Sequence, residues 1–143
     1  MKKQAYIVLM TAALLATIFT STHAETATLI EANIPFNFVI GERALPGGKY
    51  TFALVQIGGS NAVKIQSVDG HITAFIPTRA ARMKTSQSDP KLVFNHYIDH
   101  YFLSQIYGLE ESTTQQLAKS RAEERLAKSA TDRNNVFIAA HKQ

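Results

Sequence analysis

Asp69-Gly70 stands between two runs of alternating apolar and polar residues, which commits the middle of the chain to a β-hairpin. With these two residues at the centre of a two-residue type I′ turn, Ser67 faces Ile72, Ile65 faces Ala74 and Val63 faces Ile76. One face of the hairpin is then apolar almost throughout, and the other carries Lys64, Gln66, Val68, His71, Thr73 and Phe75. A turn this short joins only antiparallel strands, so the fold must be built around antiparallel pairing.

The flanking segments extend the pattern. Ala32 to Ile40 alternates, with Ile34, Phe36, Phe38 and Ile40 on one face, and Pro35 calls for an edge or an outward-facing backbone. Gly41 to Gly48 is turn chemistry. Lys49 to Ile57 is apolar on both faces, which fits a strand covered on both sides, with the C-terminal segment as the candidate cover. Thr78 to Pro90 lacks apolar periodicity and reads as a long connection. A second hairpin pairs Leu92–Ile98 with Tyr101–Tyr107 around residues 98–100, placing Leu92, Phe94, His96, Tyr101, Leu103 and Tyr107 on one side. Val93, Asn95, Tyr97, Phe102, Ser104 and Ile106 fall on the other, and a three-residue loop would flip one strand.

A helix is expected over 113–130, started by Ser112 with Gln115 or Thr113 with Gln116 and marked by Ala118, Ala122, Leu126 and Ala130 at four-residue spacing. Lys119 with Glu123 and Glu124 with Lys128 then support its exposed side. Residues 131–143 form a tail or a short last strand around Val136 to Ala140. Hairpins, one late helix and no βαβ alternation predict a mainly β fold: a single antiparallel β-sandwich or small, partly open β-barrel with one C-terminal α-helix.

The first 24 residues stand apart from this pattern. Lys2 and Lys3, an apolar run to Phe19, and Thr22-His23-Ala24 make a secretory signal peptide with cleavage expected before Glu25. The apolar run is shorter than the roughly 20 residues of a spanning helix, so no stable membrane insertion is expected after cleavage. The β-domain is assigned to residues 25–112. Loss of Lys2 and Lys3 takes 15 basic residues to 13 against 11 acidic ones, so the net charge falls from +4 to +2. So balanced a surface argues against a nucleic-acid partner. An exported chain with no cysteine has no disulfide to rely on and must be held by its apolar core.

Candidate chemistry is sparse. His96, Asp99 and His100 are the tightest group of metal-competent residues, but in a hairpin they straddle the tip, whereas histidines four apart share a face only on a helix. No serine, histidine and acid arrangement stands out, and Glu110-Glu111 and Glu123-Glu124 are adjacent pairs that face apart. No cofactor is implied. Arg79, Arg82, Lys84 and Lys91 make the 78–90 connection basic, enough to dock an anion or an acidic envelope polymer. Phe75, Tyr97 and Phe102 lie on faces expected to be outer. They form a partner patch unless the C-terminal helix covers them.

Three blocks, Ile34 to Thr51 (IPFNFVIGERALPGGKYT), Lys91 to Ile106 (KLVFNHYIDHYFLSQI) and Ser120 to Ala127 (SRAEERLA), resemble a group of small exported bacterial β-rich proteins with no assigned activity. The resemblance implies a common fold and carries over no functional residue. It also leads one to expect glycine at the turn position that Ile98 occupies. The expected function is an exported, periplasmic or secreted, non-enzymatic β-domain that binds a protein partner or cell-envelope component. The alternatives are a small-barrel carrier of an apolar ligand and a metal-assisted hydrolase at His96 and His100.

Overall fold

The computed structural model describes residues 27–84 and 89–143, so the expected leader lies outside the described residues. Ten strands and one helix follow in chain order: β1 (Leu29–Ile34), β2 (Phe38–Ile40), β3 (Arg43–Leu45), β4 (Gly48–Ile57), β5 (Ser60–Ser67), β6 (Thr73–Arg82), β7 (Lys91–Tyr97), β8 (His100–Tyr107), β9 (Thr113–Leu117), α1 (Arg121–Ser129) and β10 (Asn134–Lys142). Eight of the strands pair antiparallel in the order β8-β7-β10-β1-β4-β5-β6-β9, and β9 returns to pair with β8. The sheet therefore closes on itself, and the fold is a barrel rather than a sandwich, with one helix among the described residues, near the C-terminus.

Alternation places the core. Ile30 lies opposite Phe52, Phe52 opposite Ile65 and Ile65 opposite Ala74, while across the barrel Val136 lies opposite Phe94 and Phe94 opposite Leu103. These residues are buried or packed against the buried cluster. Each large apolar side chain so placed contributes roughly 1.5–3 kcal/mol of transfer free energy. The cover expected over β4 does not come from the helix, which packs on β7 instead.

The strand expected over Ala32–Ile40 is two strands. β1 pairs with β4 and β10 as far as Ile34, and the chain then crosses to β8, where Val39 pairs in parallel with Phe102. Pro35 lacks the N–H a continuing ladder would need. Asn37 Oδ1 accepts the Gly47 N–H at 3.1 Å, and a Cβ at Gly47 would come within 3.0 Å of the Ile34 carbonyl oxygen. Phe36 thereby reaches the rings of Phe94 and Tyr101, and Phe38 those of Tyr50 and Phe94. The β2–β3 hairpin extends from β8 toward β6, where an Arg43 guanidinium N–H donates to the Thr73 carbonyl.

The β5–β6 register is the expected one, with Ile65 opposite Ala74 and Val63 opposite Ile76. Its turn is not type I′. Gly70 N–H donates to Ser67 O at 2.9 Å and only Gly70 takes positive φ, so the β-turn is Ser67 to Gly70, braced by Asp69. The β7–β8 turn is the two-residue version, with Tyr97 opposite His100 and Ile98 at φ +54°. A bulge skips Ser104, so Leu103 and Ile106 both reach the core and Tyr107 turns outward, reversing the facing expected for Ile106 and Tyr107.

Three C-terminal assignments change. Thr78–Arg82 continues β6 rather than beginning a loop, because Thr113–Leu117 is a strand that pairs with it. The helix expected at 113–130 shrinks to α1, capped by Ser120, whose Oγ accepts the Glu123 N–H at 3.1 Å. Lys119 therefore precedes the helix, and Glu123 is buried rather than exposed. The 131–143 tail contains the nine-residue β10, which pairs with both β7 and β1, so the β-domain runs past residue 112 to residue 142.

Candidate functional site

β9 is the short strand that closes the barrel, and its outer face forms the floor of a groove. Gln115 points inward and is buried, so alternation turns Thr114 and Gln116 to the other face, where Thr114 is buried and Gln116 half-buried. Gln115 is held inside by the Thr78 hydroxyl, which donates to its Oε1 at 2.8 Å, and by Glu110, which accepts from its Nε2 at 3.2 Å. The backbone of β9 is fixed by pairing with β6 and β8 on its two sides. The Thr114 hydroxyl donates to Ile106 O at 3.1 Å, and Met83 N–H donates to Ser112 O at 2.9 Å.

Two clefts share this floor. One, of about 370 Å³, is lined by Ala81, Arg82, Met83, Lys84, Lys91, Gln105, Tyr107, Thr114 and Gln116. The other, of about 300 Å³, is lined by Pro77, Thr78, Arg79, Gln116, Leu117 and Ala118. Gln116 belongs to both. All four cations picked out in the sequence thus line this surface: Arg82, Lys84 and Lys91 in the first cleft and Arg79 in the second. Among the described residues no acidic side chain lines either cleft. They are gathered because β6 runs on through Arg82 and β7 starts at Lys91, with β9 and β8 between them. Lys91 Nζ stands 4.9 Å from the Tyr107 ring centre and 5.8 Å from that of Phe137, and the Tyr107 hydroxyl donates to Gln105 Oε1 at 2.8 Å.

The residues that sequence reasoning missed are Gln105, Tyr107, Thr114 and Gln116. The last two were hidden by the helical reading of 113–130. The available signal was the adjacent β-branched pair Thr113-Thr114, which disfavours a helix and suits a strand.

The other candidates do not assemble. His96 lies opposite Tyr101 and stacks on its ring at 4.3 Å, and Phe36 stacks on the same ring at 3.9 Å. His100 is on the opposite face, near-parallel to Phe102 at 6.4 Å, so the two imidazoles cannot converge on one ion. Among the described residues no group of three histidines and carboxylates is placed to hold a metal. The partner patch is likewise dispersed. Phe75 is 52% exposed on the outside of β6, whereas Tyr97 and Phe102 are 1% and 2% exposed on the outer face of the β7–β8 hairpin, where α1 packs. There Glu123 Oε1 accepts from Asn95 Nδ2 at 2.6 Å and from the Tyr97 hydroxyl at 3.3 Å, and Arg133 donates to Asn95 Oδ1 at 3.1 Å. Burial first, and the neighbouring Glu123 carboxylate second, push the Tyr97 hydroxyl above the usual phenol range.

No helix among the described residues is long and apolar enough to cross a membrane. Comparison with protein-family models, curated proteins and solved structures finds no match for this chain.

Proposed function

We propose that the chain is an exported, non-enzymatic binding domain that holds an anionic component of the cell envelope in the cleft of Arg82, Lys84 and Lys91. The observation that carries this reading is the gathering of those three cations in one cleft with no acid among the described residues that line it. An anion entering a cleft lined by three cations gains several charge-assisted hydrogen bonds. Export is supported by the N-terminal sequence alone: two lysines, an apolar run and a small-residue site before Glu25.

A barrel also suits a carrier of an apolar ligand, but the packing of this one weighs against that use. The Phe38 ring sits 5.3 Å from Tyr50 and 5.6 Å from Phe94, filling the inside where a ligand would lie. Uptake of a fluorescent fatty-acid probe would favour the carrier instead.

The test is an NMR titration of the chain with galacturonate, a single carboxylate-bearing sugar. Saturation with a dissociation constant of about 1 mM, equivalent to roughly 4 kcal/mol, is the expected strength for a small exposed anion site. Neutral galactose is expected not to bind, and the Arg82→Ala/Lys84→Ala/Lys91→Ala variant is expected to lose the galacturonate response. Equal binding of galactose, or an unchanged response in the variant, would contradict the proposal.

A further inference from the structure

We infer that the two clefts act as one groove that binds a linear acidic polysaccharide, with Arg79 as a second subsite beyond the Arg82, Lys84 and Lys91 cleft. The inference rests on the anion-binding reading above and names the ligand class for that site. Its first support is shape. The clefts share Gln116 and run along β9 from Thr114 to Ala118, with Arg79 opposite Gln116 and Arg82 opposite Thr113. Four residue steps along a strand span roughly 13 Å, longer than one sugar ring. A single anion would leave one end of the groove empty, whereas a chain carrying an acid on successive sugars would present charge to both.

The second support is the chemistry of the floor. Gln116 and Gln105 place amides in the floor of the cleft, and these groups suit the hydroxyls of a sugar chain. The groove is poorly made for other polyanions. Single-stranded nucleic acid needs bases stacked on aromatic faces, and the one aromatic residue in the lining, Tyr107, already has Lys91 over its ring. A lipid surface calls for several apolar side chains beside the cations; of the exposed large apolar residues Ile57, Val68, Phe75, Ile98 and Phe137 none lines either cleft, and Phe137 alone lies near one of the cations, 5.8 Å from Lys91 Nζ.

Linking acids in one chain makes the second contact intramolecular, so affinity should climb with length until the groove is filled. The experiment compares galacturonate with its linear oligomers up to the hexamer on the whole chain and on Arg79→Glu. Arg79 is exposed on the outside of β6, and circular dichroism with a melting curve checks that the variant folds, with Arg79→Gln as the milder substitute. The expected result is about a ten-fold or greater gain in affinity from monomer to hexamer. Arg79→Glu should remove most of that gain, read as the ratio of hexamer to monomer affinity in the same variant. A hexamer that binds no tighter than the monomer, or a hexamer indifferent to Arg79→Glu, overturns the inference and leaves the single-anion site standing. Absence of binding by monomer and hexamer alike defeats both. Tighter binding to single-stranded DNA or to phosphatidylglycerol vesicles than to the hexamer overturns the choice of ligand class.

Discussion

Ile98 occupies the first of two central positions of the β7–β8 turn at φ +54°, where a β-branched side chain is crowded against its own backbone. It is 67% exposed and gains little burial in return. Left-handed geometry costs a non-glycine residue roughly 1–2 kcal/mol, so Ile98→Gly should stabilise the chain by about 1 kcal/mol after glycine's own entropy loss. A urea midpoint that moves down instead would show that the turn is held by something other than tightness. At the other hairpin, the Ser67 hydroxyl donates to Asp69 at 2.5 Å and the His71 N–H at 3.0 Å, and these bonds hold the carboxyl below the usual carboxylate range. A carboxyl depressed in the folded state contributes stability that is present above its unfolded pKa and lost as pH falls through the folded one. Asp69→Asn should therefore flatten the acid side of the stability curve between roughly pH 5 and 2. An acid side of unchanged slope would mean the bonds to Asp69 do not matter to the fold. Asp69-Gly70 was legible as a hairpin because register follows from alternation. The turn type was not, since it depends on whether Asp69 or only Gly70 takes positive φ.

At the scale of elements, α1 is docked by one carboxylate. Glu123 is 3% exposed, and the rest of the inward side is half-buried Ala122, Leu126 and Ala127. Removing the carboxylate leaves Asn95 and the Tyr97 hydroxyl without their buried acceptor, which costs roughly 1–3 kcal/mol. Glu123→Ala should therefore sharply raise hydrogen exchange across Arg121–Ser129 while amides of β1 and β4 keep their protection, and Glu123→Gln should fall between. Undiminished protection of α1 in Glu123→Ala would show that its apolar side alone holds it. The helix itself was visible in the sequence, but its start was misplaced by eight residues. Ser112 and Thr113 each have glutamine three positions on, which is the same spacing Ser120 has to Glu123. The competing cap won because Thr113–Leu117 gains two strand partners, a long-range benefit that local spacing does not show. Without β9 in place, the barrel could not be told from a sandwich, and Gln116 could not be seen as the floor of anything.

Across the whole molecule, the closed sheet explains both the stability of a cysteine-free chain and the location of its charge. Closure leaves the eight barrel strands no free edge and turns most of their large apolar residues inward, leaving charge on the outer surface. There the four basic residues that the sequence marked as a loop are instead distributed over β6, the start of β7 and Lys84 between them, and β9 collects them into one groove. The cations were readable from the sequence. Their convergence was not, because it depends on strands that are distant along the chain. The central claim is that this groove is the functional surface, and a two-dimensional NMR titration of the chain with hexagalacturonate tests it most directly. Shifts confined to residues 79–84, 91, 105–107 and 114–118 are the predicted result; shifts centred on Phe36, His96 and Tyr101, or on Phe75, with the groove unmoved, would contradict it.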